Sequence, residues 1–202
     1  MNALASILGL IGTLLGLVKA VPQLLRLRRA REAYGVSIDT AATSSIVSLG
    51  WAIYGVLTNQ IFVCLASGAT SLIFGLITTL ALRFGRSPKE FKVAPIWLGV
   101  LVLAGLSGGK DGLGLMFPIS VLAANVPQLW IAYREGNLID LSLGTWALSV
   151  TDGLIWGLYA LLQHDNAIIG YGFFQFITSG LIVILKLTHL AREKDLESGA
   201  GS

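Results

Sequence analysis

Two ionisable side chains, Lys19 and Asp152, stand inside long apolar runs of this 202-residue chain. Charge in an apolar stretch is costly to bury, so such groups face a partner or a polar cavity and mark a functional site by default. Asp152 lies four residues before Trp156, and on a helix that spacing puts carboxylate and indole on one face. A carboxylate so placed can accept a hydrogen bond from a solute hydroxyl, pair with an ammonium, or carry a proton. The chemistry on offer is therefore recognition of a polar solute and proton coupling, with Asp152 and Lys19 as the proton-coupling candidates. A purely structural Lys19–Asp152 pair, or Lys19 extending to the headgroups, is the other use of the same residues.

Signals for other chemistry are weak. The one cysteine, Cys64, sits in an apolar run without a partner, so neither a disulfide framework nor a cysteine metal site is expected. Gly105-x-x-x-Gly109-Lys110-Asp111 is one residue short of a phosphate loop and has Asp111 where that loop needs a hydroxyl; it reads as a turn. His164 and His189 have no neighbouring ligand set in the sequence. No nucleophile, base and orienting group recur together. No catalytic residue, metal or cofactor is expected, and the chain does not read as an enzyme.

The elements that must position Lys19 and Asp152 follow from composition. Hydrophobic residues make up 54% of the chain and charged residues 12%, half the charged share of about 25% in a soluble domain. Each bilayer crossing takes about 20 apolar residues, so seven crossings leave no room for a soluble catalytic or nucleic-acid-binding domain. Apolar runs place spans near 3–25, 40–58, 61–82, 93–108, 113–133, 143–162 and 167–187. The first lacks a basic leader and a cleavage pattern and reads as a retained helix. The fourth is short, about 24 Å at 1.5 Å per residue, and a re-entrant loop is its alternative. The polar stretch 197–202 reads as a disordered tail.

Charge sets the direction. Arg26, Arg28, Arg29 and Arg31 follow span one; Arg83, Arg86, Lys89 and Lys92 follow span three; Arg134 follows span five; Lys186, Arg192 and Lys194 close span seven. The opposite connections hold Lys110 as their only lysine or arginine. Seven crossings then put every basic cluster in the cytoplasm, the N-terminus outside and the C-terminus inside.

The chain also repeats itself. A shift of 105 places Val21-Pro22-Gln23-Leu24 on Val126-Pro127-Gln128-Leu129 without a gap, and pairs Ser37 with Ser142, Thr40 with Thr145, Trp51 with Trp156 and Tyr54 with Tyr159. Each repeat holds three helices, and an odd number of crossings needs a fourth helix to bring the chain back. The expectation is an all-α membrane protein of seven helices in a 3+1+3 order: a first repeat over 1–84, an inversion linker over 85–110, a second repeat over 111–191 and a tail over 192–202. Parallel repeats of this kind meet around a midplane substrate site. Neither Lys19 nor Asp152 obeys the repeat, since their counterparts are Ala124 and Val47. Counted from the basic ends their depths differ by only roughly 5 Å.

These residues resemble the PQ-loop superfamily, which includes the SWEET and SemiSWEET sugar transporters, the KDEL receptors and cystinosin-like transporters. The anchors are the two Pro-Gln pairs, the Ser37 and Ser142 segments, Trp51-x-x-Tyr54-Gly55 and Trp156-x-x-Tyr159-Ala160. The resemblance implies alternating access, a sugar as first substrate, a cavity lined by Trp51 and Trp156, and a cytoplasmic gate at Pro22, Gln23, Pro127 and Gln128. Each proline removes a backbone N–H and weakens its helix, as a hinge or as a tolerated kink. The family's sugar-contacting Asn falls here on Ser67 and Gly172, which puts sugar specificity in doubt. Thr70 and Ser71, and Gln175 and Ser179, lie on the same helical faces. Substrate-binding candidates are thus Trp51, Tyr54, Ser67, Asp152, Trp156, Gly172 and Gln175. The leading expectation is a sugar uniporter. The alternatives are a proton-coupled carrier of a cationic or zwitterionic solute and a non-transporting receptor of the same fold. The partners expected are the small solute and the bilayer, with a homo-oligomer compatible and nucleic acid not.

Overall fold

The computed structural model describes residues 3–135 and 142–199, and every regular element among them is helical. In order these are α1 (Ala3–Ala30), α2 (Ile38–Leu57), α3 (Ile61–Arg83), a 3-10 turn (Pro88–Glu90) and a helical run Ala94–Glu135. That run breaks at Gly109, where φ is 55° and ψ is −133°, a conformation that only glycine adopts without strain. A Cβ on Gly112 would strike the Ala104 carbonyl oxygen, and Gly105 faces Leu113. The chain therefore doubles back, giving α4 (94–108) and α5 (110–135) at the turn expected there. Helices α6 (Leu143–Gln163) and α7 (Asn166–Gly199) complete the fold.

Lipid explains which face of each helix turns inward. On α1 the small residues Ala5, Gly9, Gly12 and Ala20 are buried, while Leu4, Ile7, Leu10, Leu14 and Val18 are exposed at helical spacing. A soluble helix would show the reverse. In a bilayer large side chains lose nothing by facing acyl chains, and small ones let helices approach closely. Among the described residues six helical runs are long and apolar enough to cross, the broken one covering two segments. The chain is an integral, multi-pass membrane protein.

Local signals explain the helix starts. Ser37 and Ser142, equivalent in the repeat, cap α2 and α6 by accepting from the backbone N–H of Thr40 and Thr145 at 3.2 and 3.3 Å. Asp39 accepts from the N–H groups of Lys92, Val93 and Ala94. That ties the start of α4 to the start of α2, at the end where the arginines of α1 emerge. From there α4 runs alongside α2, with Leu101 meeting Gly50, so it does not form a re-entrant loop.

Each half packs alike. The third helix lies against both of the others, α3 on α1 and α2, and α7 on α5 and α6. The halves meet where α1 touches α6 and where α2 touches α4 and α5. Between them lies an aromatic core of Trp51, Tyr54, Phe117, Trp156 and Tyr159. Two helix ends differ from expectation. α1 continues to Ala30 and α7 to Gly199, because a polar break marks the edge of the hydrocarbon and good helix formers carry the helix into water. Residues 197–199, expected in a disordered tail, are helical; 200–202 lie outside the described residues.

Candidate functional site

A cavity of about 540 Å³ lies between the halves, within the roughly 300–1,000 Å³ typical of small-molecule sites. Helix α2 lines it with a row of hydroxyls, Thr40, Thr43, Ser44 and Ser48, spaced to share one helical face. The Thr43 hydroxyl is buried without a hydrogen-bond partner among the described residues. Ser67 and Thr70 of α3 add two more hydroxyls. The cavity reaches the surface at the exposed Thr40 and Val93, at the starts of α2 and α4.

Lys19 and Asp152 meet on its wall. The Lys19 Nζ lies 3.5 Å from Asp152 Oδ2, with the lysine side chain 28% exposed and the aspartate 4%. The Tyr171 hydroxyl donates to the same oxygen at 2.8 Å, and its ring meets Trp51 edge-on with centroids 5.5 Å apart. Lysine and indole from the first half thus bracket carboxylate and phenol from the second. Within this low-dielectric space such an arrangement offers an acceptor, several donors and two indoles to a solute of modest size.

The other end is shut. The Tyr54 hydroxyl of α2 donates to both Asp165 carboxylate oxygens, at 3.0 and 2.9 Å, and the Gln60 side-chain amide donates to Oδ2. Asp165 Oδ1 also accepts from the Ile168 N–H at 3.0 Å, capping the start of α7. Gln60 and Asp165 stand 105 positions apart, so the closure joins equivalent corners of the two repeats. Beneath it Phe117 stacks on Trp51, with centroids 4.1 Å apart and planes at 20°.

Of the candidates read from sequence, Lys19, Trp51, Ser67, Asp152, Trp156 and Gln175 line the cavity. Gln175 is also engaged, accepting from Asn125 at 3.1 Å and donating to Ser179 at 3.3 Å. Tyr54 is not on the wall; it belongs to the closure. Gly172 is also off the wall. It packs against the Gly157 backbone, where a Cβ would approach to 2.6 Å, so its missing side chain serves the close approach of α7 to α6. Thr70 is on the wall, whereas Ser71 bonds to Ser45. Pro22 and Pro127 are exposed, Gln23 is half-buried, and none of the three lines the cavity; the Gln128 side chain lies outside the described residues.

Four polar residues escaped the sequence reading. Tyr171 is the repeat counterpart of Ala66, and Asn125 of Ala20, so each breaks the repeat as Lys19 and Asp152 do. That same test would have found them. Gln60 and Asp165 sit in short connections of ordinary polarity and carry no signal apart from their shared offset.

Residues 4–64 match the family model of the PQ loop repeat. The chain is similar in structure to a eukaryotic SWEET transporter, with a TM-score of 0.71 over 94% of this chain and 100% of that one, at 15% sequence identity. No curated protein is a significant sequence match.

Proposed function

The chain being a member of the PQ-loop superfamily with the fold of a SWEET transporter, we propose that it carries a small polar solute across the membrane by alternating access, with a sugar as the solute and no coupling ion. The observation behind this reading is a cavity between two repeat-related halves, open at the end marked by the basic clusters and bonded shut at the other. Basic residues belong in the cytoplasm, so the open end is cytoplasmic and the N-terminus external. Pro22 and Pro127, with Gln23 and Gln128, act as the hinge and gate of the cytoplasmic end. Two indoles among hydroxyls suit a ring with apolar C–H faces and polar edges.

Flux of radiolabelled sugar in proteoliposomes, with and without a proton gradient, tests this. Sugar flux independent of the gradient is expected. A second reading, a proton-coupled carrier of a cationic or zwitterionic solute, is favoured by the Lys19–Asp152 pair on the wall; gradient-driven amino-acid flux without sugar flux would establish it instead. Failure of every solute tested leaves a receptor of the same fold.

A further inference from the structure

The cavity wall departs from the repeat along one line. Where α1 meets α6, Gly12 and Lys19 face Trp156 and Asp152, with Gly16 between them. Adding or subtracting 105 gives the equivalent seam of α5 and α2: Phe117, Val121 and Ala124 beside Val47 and Trp51. The two seams are unlike in both shape and charge. Phe117 covers one face of Trp51, whereas glycine holds the matching position beside Trp156, which has no stacked ring among the described residues. Val121 fills its place and is buried. Gly16 leaves its place empty, with the Thr70 hydroxyl the nearest atom to a notional Cβ at 3.5 Å. The result is a notch on one side of the cavity, bounded by Thr70, Lys19, Asp152 and Trp156.

The groups around the notch have hydrogen-bonding capacity to spare. At 3.5 Å the Lys19–Asp152 contact is longer than the roughly 2.7–2.9 Å of a charge-assisted hydrogen bond. Lysine and Tyr171 both address Oδ2, and Oδ1 accepts no hydrogen bond among the described residues. The ammonium has three donors. Neighbouring sugar hydroxyls, each a donor and an acceptor, match a carboxylate oxygen beside an ammonium. At the opposite seam the positions equivalent to Asp152 and Lys19 are Val47 and Ala124, which carry no charge.

We propose that the sugar binds off the axis relating the repeats, in this notch and in one orientation, with adjacent hydroxyls on Asp152 and Lys19 and a C–H face on Trp156. The inference rests on the sugar-carrier reading above and makes Lys19 and Asp152 its specificity residues.

The test is uptake of D-glucose and its mono-deoxy analogues by proteoliposomes. Wild-type protein prefers D-glucose over at least one analogue by roughly tenfold or more in kcat/KM, the worth of a hydrogen bond to a charged group. Lys19→Gln with Asp152→Asn removes both charges without stranding one and abolishes that preference. Val47→Thr and Ala124→Ser, on the other seam, keep it. Gly16→Ala gives a check free of folding concerns, since its methyl makes only ordinary contact; it fills the notch and raises KM for D-glucose. A preference that survives the double variant, or a KM unmoved by Gly16→Ala, overturns the inference. So does wild-type D-glucose flux without preference among the analogues, which leaves the carrier reading standing. Absence of all sugar flux in the wild type overturns the sugar reading itself.

Discussion

In the alternating-access reading proposed above, opening the shut end requires breaking the bonds that cross from one half to the other at Asp165. There are two donors: the Tyr54 hydroxyl and the Gln60 amide. The Ile168 N–H bond stays within the second half and survives opening. Tyr54→Phe therefore removes one of two crossing attachments, while the ring keeps its edge-on contacts with Trp51 and Phe117, at centroid distances of 5.7 and 5.8 Å. A hydrogen bond to a charged group contributes about 1.5–3 kcal/mol net of water. At 1.4 kcal/mol per tenfold, the balance moves toward the state open at this end by roughly one to two orders of magnitude. The assay is labelling of a cysteine at Ser48, on the cavity wall, in a Cys64→Ala background, with a membrane-impermeant thiol reagent added from the Asp165 end. Tyr54→Phe should raise the labelling rate about tenfold or more. Equal rates in the two proteins would refute the reasoning, because the crossing bond would then not hold this end shut.

Three further outcomes follow from local geometry. Asp39→Ala strands the N–H groups at the start of α4 and should cost about 0.5–2 kcal/mol, as loss of a helix cap does; a lower Tm in detergent, partly restored by Asn, checks it. Gly172→Ala drives a methyl toward the Gly157 backbone and should destabilise by about 1–3 kcal/mol through overpacking, with KM unchanged in the folded fraction. An altered KM at an unaltered Tm would instead make Gly172 a solute contact. Pro22→Ala and Pro127→Ala restore a backbone donor near the ends marked by the basic clusters and stiffen both helices; turnover should fall with KM unchanged, measured as sugar flux, and unaltered turnover would make both prolines mere kinks.

Much of this fold is legible from residue order because lipid imposes its demand locally. Each span must satisfy its own backbone hydrogen bonds, so apolar length alone marks α1 to α3 and α5 to α7, and the basic ends mark one side. The offset of 105 carries over directly into matched serine caps on α2 and α6 and into matched packing of the two halves. The short α4 was readable from topology rather than from hydropathy, since two parallel three-helix repeats cannot be joined without a crossing between them. The helix ends were less legible. Polarity changes at the membrane edge, whereas α1 and α7 end further on.

The site divides differently. Residue order by itself determined that a lysine and an aspartate lie at similar depth in the bilayer, with Asp152 on the face of Trp156. A helix periodicity and a hydrocarbon thickness are enough for that. Only the tertiary structure decided that Asp152 takes both Lys19 and Tyr171 on one oxygen, that Tyr54 closes an end rather than lining the cavity, and that Gly172 serves a helix contact. It also decided that one seam carries a notch where its counterpart carries Phe117 and Val121. Periodicity gives a residue's direction relative to its own helix, but not the rotation and approach of the helices around it. Those are set by interlocking small and large side chains from segments far apart in the chain, as Gly12 of α1 against Trp156 of α6, and a close-packed interior allows few such arrangements.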